Sequence, residues 1–291
     1  MKVNFQGIDT IDQLVTGKIN VLNIWKEGVS INLGQPDQKI GRYAAKSFET
    51  AFEALNENKI DALITAPIDK SLIQSETFTF KGHTDYIESK SEQETLMILV
   101  NNQLRIALLT DHVPLKEVSN LLTQELVAKK VRILNHSLKQ DFGISKPKIA
   151  VLGINPHCGD NGVIGNEDNQ IILPAVTQLN ENGILVYGPY AADGFFGSKQ
   201  YEKFDAILAV YHDQGLTPFK TLSFGNGVNF TAGFSQIRTS PDHGTGFDIA
   251  GQKKADPTSF REAVYLAIDI KKKRNEYNEL TSNTLQSSAT K

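Results

Sequence analysis

Three of the six histidines stand at the ends of short apolar runs. His112 closes "RIALLTDH", His157 closes "KIAVLGINPH" and His212 closes "DAILAVYH". Neutral imidazole is a common ligand for zinc and similar divalent metals. A lone histidine after a strand is more often a loop or capping residue. Three at equivalent places weigh a shared metal site evenly against that plain reading. His136, inside a helical stretch, reads as structural.

Anion-binding chemistry has its own candidates. "KGHTDYIESK" puts Gly82, His83 and Thr84 directly before a helical stretch, where free amides and a threonine hydroxyl suit an anion. Thr84 as a plain helix cap is the alternative. Lys220, Asn229 and Arg238 fall in a segment rich in glycine and aromatics. They are candidate phosphate or carboxylate ligands, against the ordinary reading of solvated surface groups. "DALITAPIDK" ends in Thr65, Asp69 and Lys70. In "GINPHCGDNGVIGNED", Gly159, Gly162 and Gly165 precede a helix start at Asn166, with Glu167 and Asp168 in the first turn. A capped turn accounts for that pattern, and glycines also let backbone approach a ligand closely. No Rossmann G-x-G-x-x-G, P-loop, H-E-x-x-H or G-x-S-x-G pattern occurs.

The elements that position these residues alternate. "INVLNIW", "DALITAP", "RIALLTDH", "KIAVLGINPH", "ILVYGPY" and "DAILAVYHDQ" read as strands buried on both faces. Between them, "RYAAKSFETAFEALNEN", "TQELVAKKVRILNHSLKQDF" and "EDNQIILPAVTQLNEN" carry helical periodicity. The alternation predicts an α/β fold with a mostly parallel sheet and right-handed crossovers. In such sheets ligands bind beyond the carboxyl ends of the strands. That rule predicts one sheet edge holding His112, His157, His212 and the "TAPIDK" segment.

Composition sets the outer bounds. The 291 residues suggest about two domains. Hydrophobic content of 40% allows a sizeable core, and a net charge of −3 argues against nucleic acid. Cys158, the one cysteine, excludes an internal disulfide and a four-cysteine zinc site. The absence of an apolar signal core and of any eighteen-residue apolar run predicts a cytoplasmic protein without a membrane span.

"DHGTGFDIAGQKKADP" (242–257) resembles the adenosine-binding loop of the isocitrate and isopropylmalate dehydrogenases. Gly244, Thr245, Asp248 and Gly251 stand at the matching places. Together with "TAPIDK", "GHTDYI", "NPHCGDNGVIGNED", "YHDQGLTPFK" and "RTSPDHGTGFDIAG", from about residue 60 to 270, the chain resembles the 4-hydroxythreonine-4-phosphate dehydrogenase family. The resemblance implies a two-domain α/β/α, isopropylmalate dehydrogenase-like fold. We expect residues 1–80 plus 214–291 to form the domain with the adenosine loop. Residues 81–213 are expected to form the domain with the metal ligands and dimer contacts.

It further implies a divalent metal (zinc, magnesium, cobalt or manganese) on His112, His157 and His212, and a substrate held by His83, Thr84, Lys220, Asn229 and Arg238. NAD, or NADP, accepts the hydride. The site is shared across a homodimer. The implied reaction oxidises 4-phosphohydroxy-L-threonine and decarboxylates it to 3-amino-2-oxopropyl phosphate, a step of pyridoxal phosphate (vitamin B6) formation. Asp213 and Lys70 are the candidate proton carriers. Alternatives are a dehydrogenase of D-threonate or D-erythronate 4-phosphate, or an inactive binding form.

Two departures from the family pattern stand out. The usual opening strand and G-D-P-x-G-I-G-P-E loop are absent from the chain, from which we expect a missing first strand. Cys158 replaces the usual alanine, either as a tolerated small residue or as a thiol beside the metal.

Overall fold

The computed structural model describes residues 4–75, 78–80, 82–223 and 225–282. Eight strands form one sheet: β3 (Leu63–Ile64), β4 (Leu96–Val100), β5 (Arg105–Leu108), β6 (Ile149–Leu152), β7 (Val186–Tyr190), β8 (Ala206–Ala209), β9 (Val228–Ala232) and β10 (Arg238–Pro241). Their order is β3-β10-β9-β4-β5-β8-β6-β7. Two further strands, β1 (Phe5–Ile8) and β2 (Ile19–Leu22), pair with each other in a separate parallel ribbon. The helices are α1 (Gln38–Asn56), α2 (His83–Ser91), α3 (Val118–Leu121), α4 (Gln124–Gln140), α5 (Leu173–Glu181), α6 (Ala192–Gly197), α7 (His212–Ser223) and α8 (Thr258–Ser282).

Strand burial explains why the sheet is read so readily from its apolar runs. Every residue of β4, β6 and β8 is buried, as expected where helices cover both faces. Leu96, Ile98, Val100, Phe230 and Ala232 pack toward α4, α5 and α8. Met97, Leu99, Ile106 and Leu108 pack on the opposite face with Phe195 of α6 and with Leu216 and Phe219 of α7. Helix starts follow local chemistry. Asp37 caps α1 by accepting from the Lys39 and Ile40 amides, and Thr123 caps α4 through Leu126.

"INVLNIW" departs from expectation. Only Ile19–Leu22 form a strand, its residues alternate in exposure, and Ile19 and Val21 are 52% and 44% exposed. Its sole strand partner among the described residues is β1.

Strand direction corrects a second expectation. The sheet is mostly parallel, but β9 runs antiparallel to β10 and β4, and β4 antiparallel to β5. Strands β5, β8, β6 and β7 therefore point one way, while β3, β10 and β4 point the other. His112, His157 and His212 follow strands that end at one edge. The segment after β3, with Thr65 and Lys70, leaves from the opposite end. The sheet runs unbroken across the expected division into 81–213 and the rest, with five residue pairs joining β4 to β9.

A buried ion pair locks α8 in place. Arg274 donates to Asp141 at 2.6 Å and to the carbonyls of Phe234, Ser235 and Gln236. Among the described residues, no helix is long and apolar enough to cross a membrane.

Candidate active site

Among the described residues, the site is built around a cation with no ion-pair partner. Arg238 opens β10 and is 3% exposed. It donates to the Thr65 hydroxyl from Nε (3.1 Å) and Nη2 (2.6 Å), to the Thr231 hydroxyl (3.4 Å) and to His83 Nδ1 (3.1 Å). All of these acceptors are neutral. Burial pulls the Arg238 pKa down to about 10, which still leaves it charged near neutral pH. A desolvated guanidinium held in this way favours a carboxylate or phosphate.

His83 is tuned by the same contact. Burial first, and then the charges of Arg238 and Lys70, pull its pKa down to about 3, so the ring is neutral. Because Nδ1 accepts from the guanidinium, the ring proton sits on Nε2, which becomes a fixed donor. Phe48 packs against the ring at 4.5 Å.

Arg238 and His83 line a cavity of about 860 Å3 with Lys70, Thr84, His112, Asn229 and Gly244. Thr84 lies in the first turn of α2, where free amides also favour an anion. Asn229 Nδ2 donates to the Met97 sulfur at 3.3 Å, and its Oδ1 is buried with no partner among the described residues. Such an acceptor awaits a donor group on a ligand.

At the edge of this cavity the His112 and His212 rings lie 5.7 Å apart between centroids. Each has a carboxylate at Nδ1: Asp213 at 2.7 Å from His212, and Asp111 at 3.6 Å from His112. Hydrogen bonding from His112 holds the Asp111 carboxyl down to about 2. Carboxylates placed there orient imidazoles with Nε2 left for a metal. Two rings are an incomplete set. Among the described residues, no group of three or more His, Cys, Asp or Glu side chains is placed to hold a metal ion.

His157 sits on an unusual turn. Residues His157 through Gly162 all have positive φ, from 44° to 95°. The buried carboxylate of Asp168 anchors the strand end before this turn by accepting from the Ile154 amide (2.8 Å), the Asn155 amide (3.1 Å) and the Asn155 side chain (3.0 Å). A Cβ on Gly159 would lie 2.3 Å from the Gly165 carbonyl oxygen. Gly159 is therefore required by the loop's own close packing. Burial and the nearby Asp168 push the Cys158 thiol up to about 11, so it stays protonated near neutral pH.

The other sequence candidates are distributed around this cavity. Lys220 lies 3.5 Å from Asp242, a carboxyl raised by burial and missed in the sequence, although it directly precedes His243 in the quoted motif. Asp213 is 83% exposed and contacts His212. Thr245 lines a neighbouring, mainly apolar cavity of about 270 Å3 with Leu33, Ile40 and Phe247. Pro67 and Ile68 line both cavities, and the loop carrying Gly244, Thr245, Asp248 and Gly251 passes between them. Asp111 and Thr231 also went unnoticed in the sequence. Asp111 carried a signal in its place beside His112, and Thr231 carried none.

A family model described as pyridoxal phosphate biosynthetic protein PdxA matches residues 1–267. The chain belongs to the PdxA family. It is 46% identical over 288 residues to a 4-hydroxythreonine-4-phosphate dehydrogenase of Bacteroides thetaiotaomicron, covering 98% of this chain and 79% of the relative. The crystal structure of the enzyme of that name from Klebsiella pneumoniae superposes with a TM-score of 0.78 at 32% identity, over 93% of this chain and 83% of that one. Isocitrate dehydrogenase from Methylococcus capsulatus shares the fold, with a TM-score of 0.51 at 9% identity over 83% and 78% of the two chains. Family membership thus agrees with an isopropylmalate dehydrogenase-like architecture.

Proposed function

We propose that this chain is a nicotinamide- and metal-dependent dehydrogenase. It oxidises 4-phosphohydroxy-L-threonine and decarboxylates the product to 3-amino-2-oxopropyl phosphate, in pyridoxal phosphate formation. The observation that carries this reading is the buried Arg238, whose neutral partners leave its charge for a ligand in a cavity that adjoins the adenosine-like loop. A phosphorylated hydroxy acid supplies two anionic ends for Arg238, Lys220 and the start of α2.

The donor set fits a divalent metal in chemistry. His112 and His212 each keep Nε2 free behind a carboxylate, and His157 is the third ligand in a homodimer whose copies share the site. When bound, the metal acidifies the substrate hydroxyl and stabilises negative charge on that oxygen. Gly244, Thr245, Asp248 and Gly251 would hold the adenosine half of NAD, or NADP, whose chemistry when bound is to accept the hydride.

The remaining chemistry falls to this chain's side chains. His83 Nε2–H donates to an anionic substrate oxygen, and Arg238 fixes that end against rotation. Asn229 Oδ1 accepts from the C2 amino group. The hydroxyl proton leaves for one of the two basic groups at the site, Lys70 or the Asp213 carboxylate. As carbon dioxide departs, the electrons of the broken bond pass toward the ketone, and Lys70, the one of the pair that lines the cavity, returns a proton to carbon.

Asn229 Oδ1 accepts equally from an amine or a hydroxyl, so this contact admits D-threonate and D-erythronate 4-phosphate as well. The test is NADH formation by purified protein with a divalent metal and each of the three substrates. A kcat/KM highest for 4-phosphohydroxythreonine sustains the proposal. Turnover of a sugar-acid phosphate alone replaces the substrate, and no turnover with metal bound overturns the dehydrogenase assignment.

A further inference from the structure

Strands β5, β8 and β6 lie side by side in that order, and His112, His212 and His157 follow them. Main-chain pairing carries β5 and β8 slightly past their ends. The Leu109 amide donates to the Ala209 carbonyl at 2.8 Å, and the Thr110 amide to the Val210 carbonyl at 3.1 Å. Beyond that point two side chains continue the cross-links.

Thr110 is buried, and its hydroxyl also donates to the Val210 carbonyl, at 2.7 Å. Gln214, in the first turn of α7, reaches both neighbouring strands. Its Oε1 accepts from the Val210 amide at 2.7 Å, and its Nε2 donates to the Gly153 carbonyl at 2.6 Å. One partner is an N–H and the other a C=O, so the side-chain amide satisfies both in one orientation only. The base of this reach is fixed as well. Next to Gln214, Gly215 lets α7 lie close on the sheet, where a Cβ would stand 2.8 Å from Leu108 and 2.9 Å from Ile106.

The result is a continuous strap across three strand ends, from Thr110 through Val210 and Gln214 to Gly153. It crosses two residues before His112, two before His212 and four before His157. On the β6 side the next contacts extend it. The Gly153 amide donates to the Tyr190 carbonyl at 2.8 Å, and Asp168 takes the amides of Ile154 and Asn155.

We propose that Gln214 is a positioning residue, which with Thr110 sets the spacing of the histidine-bearing strand ends before a metal binds. The inference rests on the metal reading given above. Metal–ligand distances tolerate only about 0.2 Å, so a strand end free to shift by more than that loses affinity. Each copy of the chain carries its own strap, which acts alike whether the donors to one metal come from one copy or two.

The test titrates cobalt(II) into the whole chain and follows its visible absorption, whose shape reports the ligand geometry. Gln214→Met keeps the side-chain length and removes both bonds. Gln214→Glu keeps the acceptor for Val210 but sets an oxygen against the Gly153 carbonyl. Asn180→Leu is the control for a general loss of stability, because it cuts a bond of 3.1 Å to the Val186 carbonyl at the starting end of β7. Cobalt affinity should fall ~10-fold or more in both Gln214 variants, with an altered spectrum, the scale seen when support behind a metal ligand is removed. The control should keep the affinity and spectrum of the unaltered chain. Unchanged cobalt binding in the Gln214 variants, or an equal loss in the control, overturns the proposal. An unaltered chain that binds no cobalt overturns the metal reading and the strap's role with it, an outcome distinct from failure of the strap alone. Gln214→Glu decides the matter where Gln214→Met fails to fold.

Discussion

Arg274 and Arg238 are both buried, at 8% and 3% exposure, and they answer opposite needs. Arg274 meets a carboxylate and three carbonyls, so its charge is compensated within the fold. Arg238 meets two hydroxyls and a neutral imidazole, so its charge is solvated weakly and has no ion-pair partner among the described residues. A compensated buried charge ties elements together. An uncompensated one stores a desolvation cost that an incoming anion relieves.

Arg274→Met sharpens the first half of that contrast with the largest effect on stability. It strands the Asp141 carboxylate between α4 and α8, and loss of one partner from a buried pair costs about 3–5 kcal/mol. Urea unfolding should show this loss, while folded molecules keep their affinity for substrate. An unchanged midpoint would show that Asp141 finds water or another donor.

Arg238→Met should reverse the pattern. Stability stays level or rises because a desolvated cation disappears, while kcat/KM falls by the about 2–5 kcal/mol expected when a buried charge loses its partner. Steady-state kinetics beside urea unfolding measures both. A large loss of stability with intact kcat/KM would make Arg238 a structural residue like Arg274.

His83 provides a pH readout of the same environment. Its native pKa of about 3 lies below the ordinary 6.5. Above pH 6.5 both folded and unfolded rings are neutral, and stability is unaffected. As pH falls from 6.5 toward 3, the unfolded chain takes up a proton that the native chain refuses, so stability declines through that window. In His83→Asn this part of the decline should vanish from a plot of unfolding free energy against pH. An identical slope in the variant would place the acid sensitivity elsewhere.

The two regions also differ in how openly the sequence displays them. The runs that form β5, β6 and β8 are continuous and apolar, and each leads to its histidine, so the strand ends that carry His112, His157 and His212 can be read directly. Strands β9 and β10 hide because their residues alternate between faces. Asn229 and Thr231 serve the site while Val228 and Phe230 serve the core, and the flanking glycines make the stretch resemble a loop. Strand direction leaves no local trace either: the reversal at β9 and β4 sends "TAPIDK" off the opposite strand end from the histidines, yet Lys70 and His112 still line one cavity. The threonine cradle of Arg238 joins positions 173 residues apart, a pairing that only tertiary packing creates.

Cys158 gives the smallest expected effect and tests whether proximity to a candidate metal ligand amounts to function. It follows His157 directly, but its thiol is half-buried and pushed up to about 11 by burial and by the carboxylates of Asp168 and Asp193. Metals and alkylating agents both engage the thiolate, which is scarce at neutral pH when the pKa is raised. Cys158→Ala should therefore leave turnover within about a factor of two, since a small residue suffices at a site without a core role. In the unaltered protein, alkylation by iodoacetamide should be slow at neutral pH and accelerate steadily as pH rises toward 11. Fast alkylation at neutral pH, lost on adding a divalent metal, would instead place the sulfur among the ligands. In that case the left-handed turn would present two donors to the metal, where the proposed ligands His112 and His212 present one each.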